Sequence, residues 1–394
     1  MLAYAPVTDP VVNASPAATT PILLSAPYVD DQEAARAAEA LHSRMAGNGP
    51  FTQRAEKRLS ERLDGSRVLL TTSCTHALEL ALLALGIGPG QEVICPSFTF
   101  VSTANAILRV GARPVFADIE ADSLGLDVED VARRVGPKTT ALLPVHYAGV
   151  APDMDALLDL ARARSLRVIE DAAQGLGATY HGRALGALGD AGCFSFHETK
   201  NVTCGEGGAL AVRDPELAAR AEIIREKGTN RSAFLRGEVD KYTWVAEGSS
   251  YVLSDVLAAV LDAQLDKFDE IHRLRRRVAE RYHADLGEWA RARGVRLTPV
   301  PPGRETNDHL FFLLLPDEAA RDRCQAHLRR AAIQATFHYV PLHSSPFGRS
   351  LDPNPPQLPV TDRVSATLLR LPLHPGLTDD EVDRVVSAVR SFPA

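Results

Sequence analysis

Short apolar runs alternate with amphipathic segments over residues 67–171, and this alternation constrains the fold more than any other feature of the chain. The runs RVLLTT, EVICPS, RPVFADI, TTALLPVH and RVIEDAA are continuously apolar at their centres. The segments between them have the length and spacing of helices, and two of them end at Gly86 and Gly111. Buried strands that alternate with helices are typical of a mostly parallel sheet covered on both faces. The sequence therefore predicts an α/β fold.

The second half of the chain has a different pattern. Residues 229–253 have no sustained period, and we expect an ordered binding loop there. A long helix is predicted from Ser254, because apolar residues recur three and four positions apart. Beyond it, HLFFLLLP and QATFHYV are predicted strands, and TDRVSATLLRL is a predicted helix. The predicted organisation is a flexible N-terminal extension (1–20), a large domain (21–279) and a smaller α+β domain (280–394).

Composition narrows the class of protein. The chain is 45% hydrophobic and 24% charged, with a net charge of -7, which argues against a nucleic-acid binder. The one basic run, residues 273–277, is interpreted as the solvated face of a helix. Five cysteines without a CxxC pair argue against a disulfide framework or a structural metal, so a reducing, cytoplasmic setting is expected. We expect neither a signal peptide nor a membrane span.

An acid and a lysine about thirty residues apart suggest a cofactor. Asp171 ends the apolar run VIED, and Lys200 follows the run CFSFH and precedes the glycine-rich GEGG. Pyridoxal phosphate (PLP) needs a lysine for a Schiff base and a carboxylate against its pyridinium nitrogen. Taken singly, Lys200 could be a surface charge and Asp171 a helix or turn cap. Their order and spacing favour the cofactor.

Several further residues have both a cofactor role and an ordinary structural one. Ser73, Cys74 and Thr75 lie where a strand meets a helix, and they either hold a phosphate or cap the helix. Ser195 could give the phosphate a second hydroxyl. Phe100 could stack on the pyridine ring or belong to the core, and Gln174 could bind the phenolic oxygen of the ring or face solvent. The histidines show no metal-ligand spacing.

Taken together, six motifs resemble the nucleotide-sugar aminotransferases of the DegT/DnrJ/EryC1/StrS family. These motifs are SCT (73–75), PSFTFVSTANA (96–106), PVHYAGVAPDMDAL (144–157), EDAAQG (170–175), SFHETKN (195–201) and GEGGA (205–209). The resemblance implies the PLP-dependent aspartate-aminotransferase fold (fold type I), with a mostly parallel seven-stranded sheet in the large domain. HETKN, EIIREKGTNRS, RGEVDKYTW and GSSYVLSD resemble the branch that makes dTDP-4-amino-4,6-dideoxygalactose.

The resemblance also implies residue roles. Lys200 would form the Schiff base, Asp171 would pair with the pyridinium, and Gln174 would contact the phenolic oxygen. Residues Ser73, Cys74, Thr75 and Ser195 would hold the phosphate, and Phe100 would stack on the ring. Many relatives place an asparagine of the neighbouring subunit on the phosphate, where this chain has Ser249 and Ser250. A homodimer with shared active sites is implied.

The predicted reaction moves an amino group from L-glutamate to the C4 ketone of dTDP-4-keto-6-deoxy-D-glucose, giving a galacto or gluco product and 2-oxoglutarate. One alternative is amination at C3 of a dTDP-3-keto-6-deoxyhexose. Another is a non-catalytic, PLP-binding regulator. The dehydratases of this family have histidine at the lysine position, so Lys200 argues against dehydration. The absence of GxGxxG after the first strand disfavours a dinucleotide-binding dehydrogenase.

Overall fold

The computed structural model describes residues 20–43 and 45–393. The predicted N-terminal extension therefore lies outside the described residues, apart from Thr20. None of the helices in the described ranges has a stretch long and apolar enough to span a bilayer.

The strands build one large sheet and two small ones. In chain order they are β1 (Arg67–Thr71), β2 (Glu92–Pro96), β3 (Arg113–Ala117), β4 (Thr139–Leu142), β5 (Arg167–Asp171), β6 (Thr179–Tyr180), β7 (Arg183–Ala184), β8 (Ala191–Ser195), β9 (Gly208–Val212), β10 (Arg296–Leu297), β11 (Arg304–Glu305), β12 (Phe311–Leu314) and β13 (Leu368–Leu371). The large sheet has seven strands in the order β1-β9-β8-β5-β4-β2-β3. Strand β9 is antiparallel to both neighbours, and the other six strands run parallel to one another. The predicted mostly parallel α/β sheet is confirmed.

Helices cover both faces of this sheet. In chain order they are α1 (Asp31–His42), α2 (Pro50–Arg62), α3 (Cys74–Ala84), α4 (Val101–Arg109), α5 (Val128–Arg134), α6 (Met154–Arg164), α7 (Pro215–Arg225), α8 (Arg231–Leu235), α9 (Asp255–Asp266), α10 (Phe268–Ala292), α11 (Glu318–Arg330), α12 (Pro346–Leu351), α13 (Pro359–Thr367) and α14 (Asp379–Ser391). Strand β1 shows how the faces divide. Leu69 packs with α3, α4 and α7, whereas Val68 and Leu70 pack with α2 and α9. Alternate side chains are thus buried on opposite faces, which explains the continuous apolar runs.

The C-terminal part has its own core. Strands β10, β12 and β13 form an antiparallel sheet that packs with α10, α11 and α14. Ile22 joins this core through a bridge to Ile333. The boundary predicted near residue 280 falls inside α10, whose residues from Val278 onward pack in this cluster.

Some predicted elements were wrong in the second half of the chain. The long helix from Ser254 is two helices, α9 and α10, separated at Lys267. The predicted strand QATFHYV makes only a bridge from Thr336 to Arg370. The predicted helix TDRVSATLLRL divides into α13 and β13, because its last four residues pair with β12. Tertiary pairing overrides local spacing at these places.

The basic run 273–277 was also only partly interpreted correctly. Arg275 is buried, and its guanidinium donates hydrogen bonds to the carbonyl oxygens of Asp308, His309 and Leu373. A buried arginine that binds three carbonyls ties α10 to two later segments of the chain.

Candidate active site

Asp171 ends β5 at the carboxyl edge of the large sheet, where open α/β sheets bind ligands. The carboxylate is buried and accepts hydrogen bonds from Thr103 Oγ1 at 2.7 Å and from the Ala173 backbone N–H at 3.2 Å. Burial raises the pKa of Asp171, against these hydrogen bonds and the charge of Lys200, which lower it. The strand and the two donors therefore hold this carboxylate in one orientation.

Lys200 lies in the loop that connects β8 to β9. Its backbone N–H donates to the carbonyl of His197 at 2.9 Å, while its Nζ forms no hydrogen bond or ion pair with a described residue. Burial lowers the pKa of Lys200, although the neighbouring Cys74 and Asp171 raise it. A lysine with a lowered pKa and no partner has the properties of a nucleophilic amine.

The predicted phosphate-binding residues come together beside this lysine. Gly208 pairs with Thr71 of β1 on one side and with Ser195 of β8 on the other, so these strand ends are adjacent. The first turn of α3, residues 73–75, follows β1 directly. A Cβ atom on Gly208 would lie 2.4 Å from the backbone nitrogen of Cys74, so only glycine allows this approach.

The hydroxyls of this turn are partly occupied within the chain. Ser73 caps α3 by accepting from the His76 backbone N–H at 3.1 Å, and Thr75 Oγ1 donates to Ser102 Oγ at 2.9 Å. The backbone N–H groups of Cys74 and Thr75 start the helix and have no carbonyl acceptor within it. Ser73 is therefore an N-cap residue, and its contact with a phosphate at the helix start stays a prediction.

Gln174 and Phe100 lie at the border of the same region. The Gln174 side chain accepts from the Ala148 backbone N–H at 2.7 Å and donates to the Tyr339 hydroxyl at 3.2 Å. Phe100 is 58% exposed, and its ring lies 6.4 Å from that of Tyr339, measured between centroids. Phe100 is therefore not a core residue, and its ring is free to contact a ligand.

Lys200, Gln174 and Ser195 line one small cavity, together with Ala173, Leu176, Asn201, Val202, Asn307 and His309. The structure thus brings the predicted lysine, amide and serine together. Sequence reasoning had not singled out Asn307 or His309, and the signal was weak because they lie over a hundred residues away in an irregular segment.

Ser249 and Ser250 lie beside the end of α7. The Ser249 backbone N–H donates to the Ile224 carbonyl at 2.8 Å, and Ser250 bridges to Glu226. The next residue, Tyr251, accepts a backbone hydrogen bond from Thr72 at 3.0 Å, so this segment runs past the end of β1. The contact of these serines with the phosphate of a neighbouring subunit stays a prediction.

Glu170, one residue before Asp171, has a structural role. Its fully buried carboxylate accepts a hydrogen bond from His146 Nε2 at 2.7 Å and from three backbone N–H groups in the loop 186–189 at 2.7–2.8 Å. Although burial alone would raise it, the pKa of Glu170 is lowered by His146 and these backbone donors. The carboxylate therefore fixes this loop and His146 to β5.

Arg370 of β13 was missed because it stands in an apolar run, LLRL. Its Nη1 lies 2.8 Å from His338 Nε2, and His338 Nδ1 lies 3.1 Å from the Tyr147 hydroxyl. Burial, Arg370 and Lys200 lower the pKa of His338 to about 2, so this imidazole is neutral and accepts from the guanidinium. The buried Nε of Arg370 has no partner among the described residues, and no carboxylate there pairs with it.

The residues present fit PLP. A fixed carboxylate at a strand end, an unpaired amine of lowered pKa and an accessible helix start for a phosphate are arranged along the edge formed by β1, β8 and β5. These are the groups that this coenzyme requires of a protein.

Comparisons with known proteins agree with this geometry. Among similar solved structures, the aminotransferase TlmJ from Streptoalloteichus hindustanus is 34% identical, with a TM-score of 0.86 over 94% of this chain and 98% of that one. DesV from S. venezuelae is also 34% identical, with a TM-score of 0.86 over 95% and 99%. Spr1654 from Streptococcus pneumoniae, named as a sugar aminotransferase and solved in its PMP form, is 27% identical with a TM-score of 0.87 over 94% and 98%.

A family model described as the DegT/DnrJ/EryC1/StrS aminotransferase family matches residues 27–390, which is nearly the whole chain. The predicted fold type I and the predicted PLP dependence are confirmed by these matches. The chain therefore belongs to the DegT/DnrJ/EryC1/StrS aminotransferase family and is a PLP-dependent sugar aminotransferase.

Proposed function

We propose that this enzyme transfers the amino group of L-glutamate to the C4 ketone of dTDP-4-keto-6-deoxy-D-glucose, forming a dTDP-4-amino-4,6-dideoxyhexose and 2-oxoglutarate. The family supplies the reaction class and the sugar substrate. The choice of C4 is supported by the four motifs that resemble the dideoxygalactose branch, among them HETKN at 197–201.

The proposal depends above all on one observation: the amine of Lys200, which has no partner among the described residues, lies close enough to the fixed carboxylate of Asp171 for that charge to raise its pKa. Bound PLP would supply an electron sink for the amino acid's α-carbon. Lys200 would hold the coenzyme and, once displaced by the donor, move the proton at that carbon. Asp171, kept in place by Thr103, would face the pyridine nitrogen.

The remaining predicted residues would hold the two ends of the coenzyme. The start of α3, with Ser73, Cys74 and Thr75, and the hydroxyl of Ser195 would bind the phosphate. Gln174 would reach the phenolic oxygen through the amide hydrogen that Tyr339 does not use, and the exposed ring of Phe100 would cover one face of the pyridine.

Arg370 is suited to bind the carboxylate of the donor. The Arg370 side chain is half-buried, its Nε is buried without a partner, and the described residues provide no carboxylate for it, so an anion that binds there would offset the cost of burying the charge. The charge of Arg370 lowers the pKa of Lys200, so the guanidinium lies near the reacting amine. A dicarboxylic amino acid such as L-glutamate would supply the missing anion.

We also propose that the enzyme is a homodimer. Residues 229–253 hold the short helix α8 and expose Phe234, Leu235, Tyr242 and Trp244, the last at 76%. Arg236 anchors this segment to its own chain through a bidentate contact with Glu222. An ordered segment with several exposed aromatic side chains is typical of a protein interface.

The test is the visible spectrum of the purified enzyme, recorded with and without L-glutamate and then with the ketosugar. We expect a coenzyme band that glutamate bleaches and that the ketosugar restores. NMR coupling constants at C4 of the product would distinguish galacto from gluco, and an amine found at C3 would overturn the regiochemistry.

Two variants test whether Lys200 is the catalytic amine. Lys200→Ala is expected to abolish turnover, whereas Lys138→Ala, at an exposed lysine, serves as the matched control and is expected to leave turnover unchanged. Wild-type turnover in Lys200→Ala would refute the assignment. A band in the wild type that glutamate cannot bleach would support the regulator instead.

A further inference from the structure

The residue after Lys200 is held by two segments that are distant in sequence. The buried amide of Asn201 donates from Nδ2 to the Asn307 carbonyl at 2.9 Å, and its Oδ1 lies 2.8 Å from His309 Nδ1. Both polar atoms of the amide are therefore used to fix the Lys200 loop to residues 306–309.

Asn307 extends this connection to the loop that contains Gln174. Its Nδ2 donates to the carbonyls of Gln174 at 2.8 Å and Leu176 at 2.9 Å, and its Oδ1 accepts from the His309 backbone N–H at 3.2 Å. Gly149 lies against the same amide, and a Cβ there would be 2.2 Å from Asn307 Oδ1. The amide thus occupies a site with no room to reorient.

These contacts determine the tautomer of His309. Because Asn201 Nδ2 must donate to a carbonyl, its Oδ1 faces His309, so Nδ1 of the imidazole carries the hydrogen. The second nitrogen, Nε2, then has a lone pair, and the residue lines the cavity of Lys200.

The surroundings also keep this imidazole uncharged. Burial lowers the pKa of His309 well below its usual range, and the cations Lys200, Arg275 and Arg370 lower it further. Arg275 donates to the backbone carbonyl of His309 at 2.6 Å, so its charge lies next to this residue. Asn201, being neutral, offers the Nδ1 hydrogen an acceptor without a charge that would favour the imidazolium.

We propose that Asn201, Asn307 and His309 are positioning residues that fix the Lys200 loop against the Gln174 loop and keep the cavity free of a second charge beside the lysine. This inference depends on the proposed role of Lys200. Its three members act through Lys200 and Gln174, which would bind the coenzyme at its aldehyde carbon and at its phenolic oxygen.

The test combines kinetics with the pH dependence of the coenzyme's visible band. Asn201→Ala is expected to lower kcat about tenfold to hundredfold, because a small misplacement of a reacting group has effects of that size. The KM for glutamate should stay within about threefold, since the donor's own contacts are unchanged. The pH midpoint of the band should fall, because water can enter the space left by the amide and weaken the burial that keeps His309 uncharged, so that a proton can bind there beside Lys200.

A double variant separates the effect of a new charge on His309 from the effect of a displaced Lys200 loop. Asn201→Ala combined with His309→Asn removes the imidazole, so the midpoint should return to that of the wild type while kcat stays low. Thr298→Val is the matched control: it loses two buried hydrogen bonds to Phe312, distant from the cavity, and should lower only the melting temperature.

A second pair keeps the inference testable if Asn201→Ala does not fold. His309→Ala should lower kcat about tenfold, and His309→Asn, whose amide still donates to Asn201, should recover most of that loss. Equal kcat values for this pair, or an Asn201→Ala enzyme that differs from the wild type only in melting temperature, would overturn the inference. If Lys200→Ala loses the band but Asn201→Ala behaves like the wild type, the role of Lys200 stands and the role of the three positioning residues is refuted.

Discussion

Thr103 offers a direct way to test how hydrogen bonding affects the pKa of Asp171. Its side chain is completely buried, and Oγ1 donates to Asp171 Oδ2 at 2.7 Å. The Thr99 hydroxyl lies 2.8 Å from Thr103 Oγ1. Thr103→Val keeps the shape of the side chain and removes this donor. Because a hydrogen bond to a charged group contributes about 1.5–3 kcal/mol, the variant should favour the protonated carboxyl and raise the pKa of Asp171 further.

The expected kinetic effect follows from that free energy. A loss of about 1.5–3 kcal/mol of stabilisation corresponds to a rate lower by about tenfold to 150-fold on the acid side of the profile, where the carboxyl is mostly protonated, if the reaction needs Asp171 ionised. The acid limb of the pH–rate profile should move to higher pH, since more of the variant is protonated at any given pH. The assay is the rate at which L-glutamate bleaches the coenzyme band in stopped flow, measured across a pH series.

Thr99→Val is the matched control. It removes the hydroxyl that contacts Thr103 but leaves the bond from Thr103 to Asp171 in place. We expect its bleaching rate to stay within about threefold of the wild type. A Thr103→Val enzyme that binds coenzyme fully and bleaches at the wild-type rate, with an unmoved acid limb, would refute this role for the hydroxyl.

Three further predictions concern stability. The pKa of His338 is lowered to about 2 in the folded chain but is about 6.5 in the unfolded chain, so the unfolded chain binds the proton first as the pH falls. Lowering the pH from 8 to 5 should therefore reduce the free energy of unfolding by about 2 kcal/mol through this residue. In urea titrations, the free energy of unfolding of His338→Asn should fall by about 2 kcal/mol less than that of the wild type over the same pH range. Gly208→Ala should destabilise by about 1–3 kcal/mol and weaken coenzyme binding, because the new Cβ would lie 2.3 Å from the carbonyl carbon of Ser73; thermal melts and coenzyme titration measure both. Arg225→Met should lower the free energy of unfolding by about 3–5 kcal/mol, because it removes the 2.9 Å salt bridge to Glu56 and leaves that buried carboxylate without its cation. Adding Glu56→Gln should restore part of this free energy, as measured by urea unfolding.

The first half of the chain was predictable because its local patterns and its tertiary structure agree. Each strand from β1 to β5 is an apolar run, and its helix is the next amphipathic segment. Strand ends in a parallel sheet meet at one edge, so Asp171 and the turn at 73–75 could be expected to lie close together before any coordinates were available.

The second half was less predictable because its elements depend on partners far away in sequence. LLRL has the composition of either a helix end or a strand, and pairing with β12 decides for the strand. Arg275 has the local appearance of a solvated residue, yet three carbonyls supplied by later segments bury it. Helical periodicity contains no information about such acceptors.

The residues of the candidate site likewise divide into those that local sequence patterns predict and those that depend on distant segments. The residues proposed to bind the coenzyme come from βα junctions, where a strand end, a helix start and a close glycine contact produce the geometry locally. Asn307, His309 and Arg370 come instead from the C-terminal part, and each reaches the Lys200 region through hydrogen bonds or charge across more than a hundred residues. Because Arg275 on α10 binds the carbonyl of His309 and also that of Leu373, the segment 306–309 and the chain just after β13 share one anchor. A shift of Arg275 would therefore move residues 306–309, which hold the Lys200 loop, together with the end of β13, which contains the proposed donor-binding Arg370.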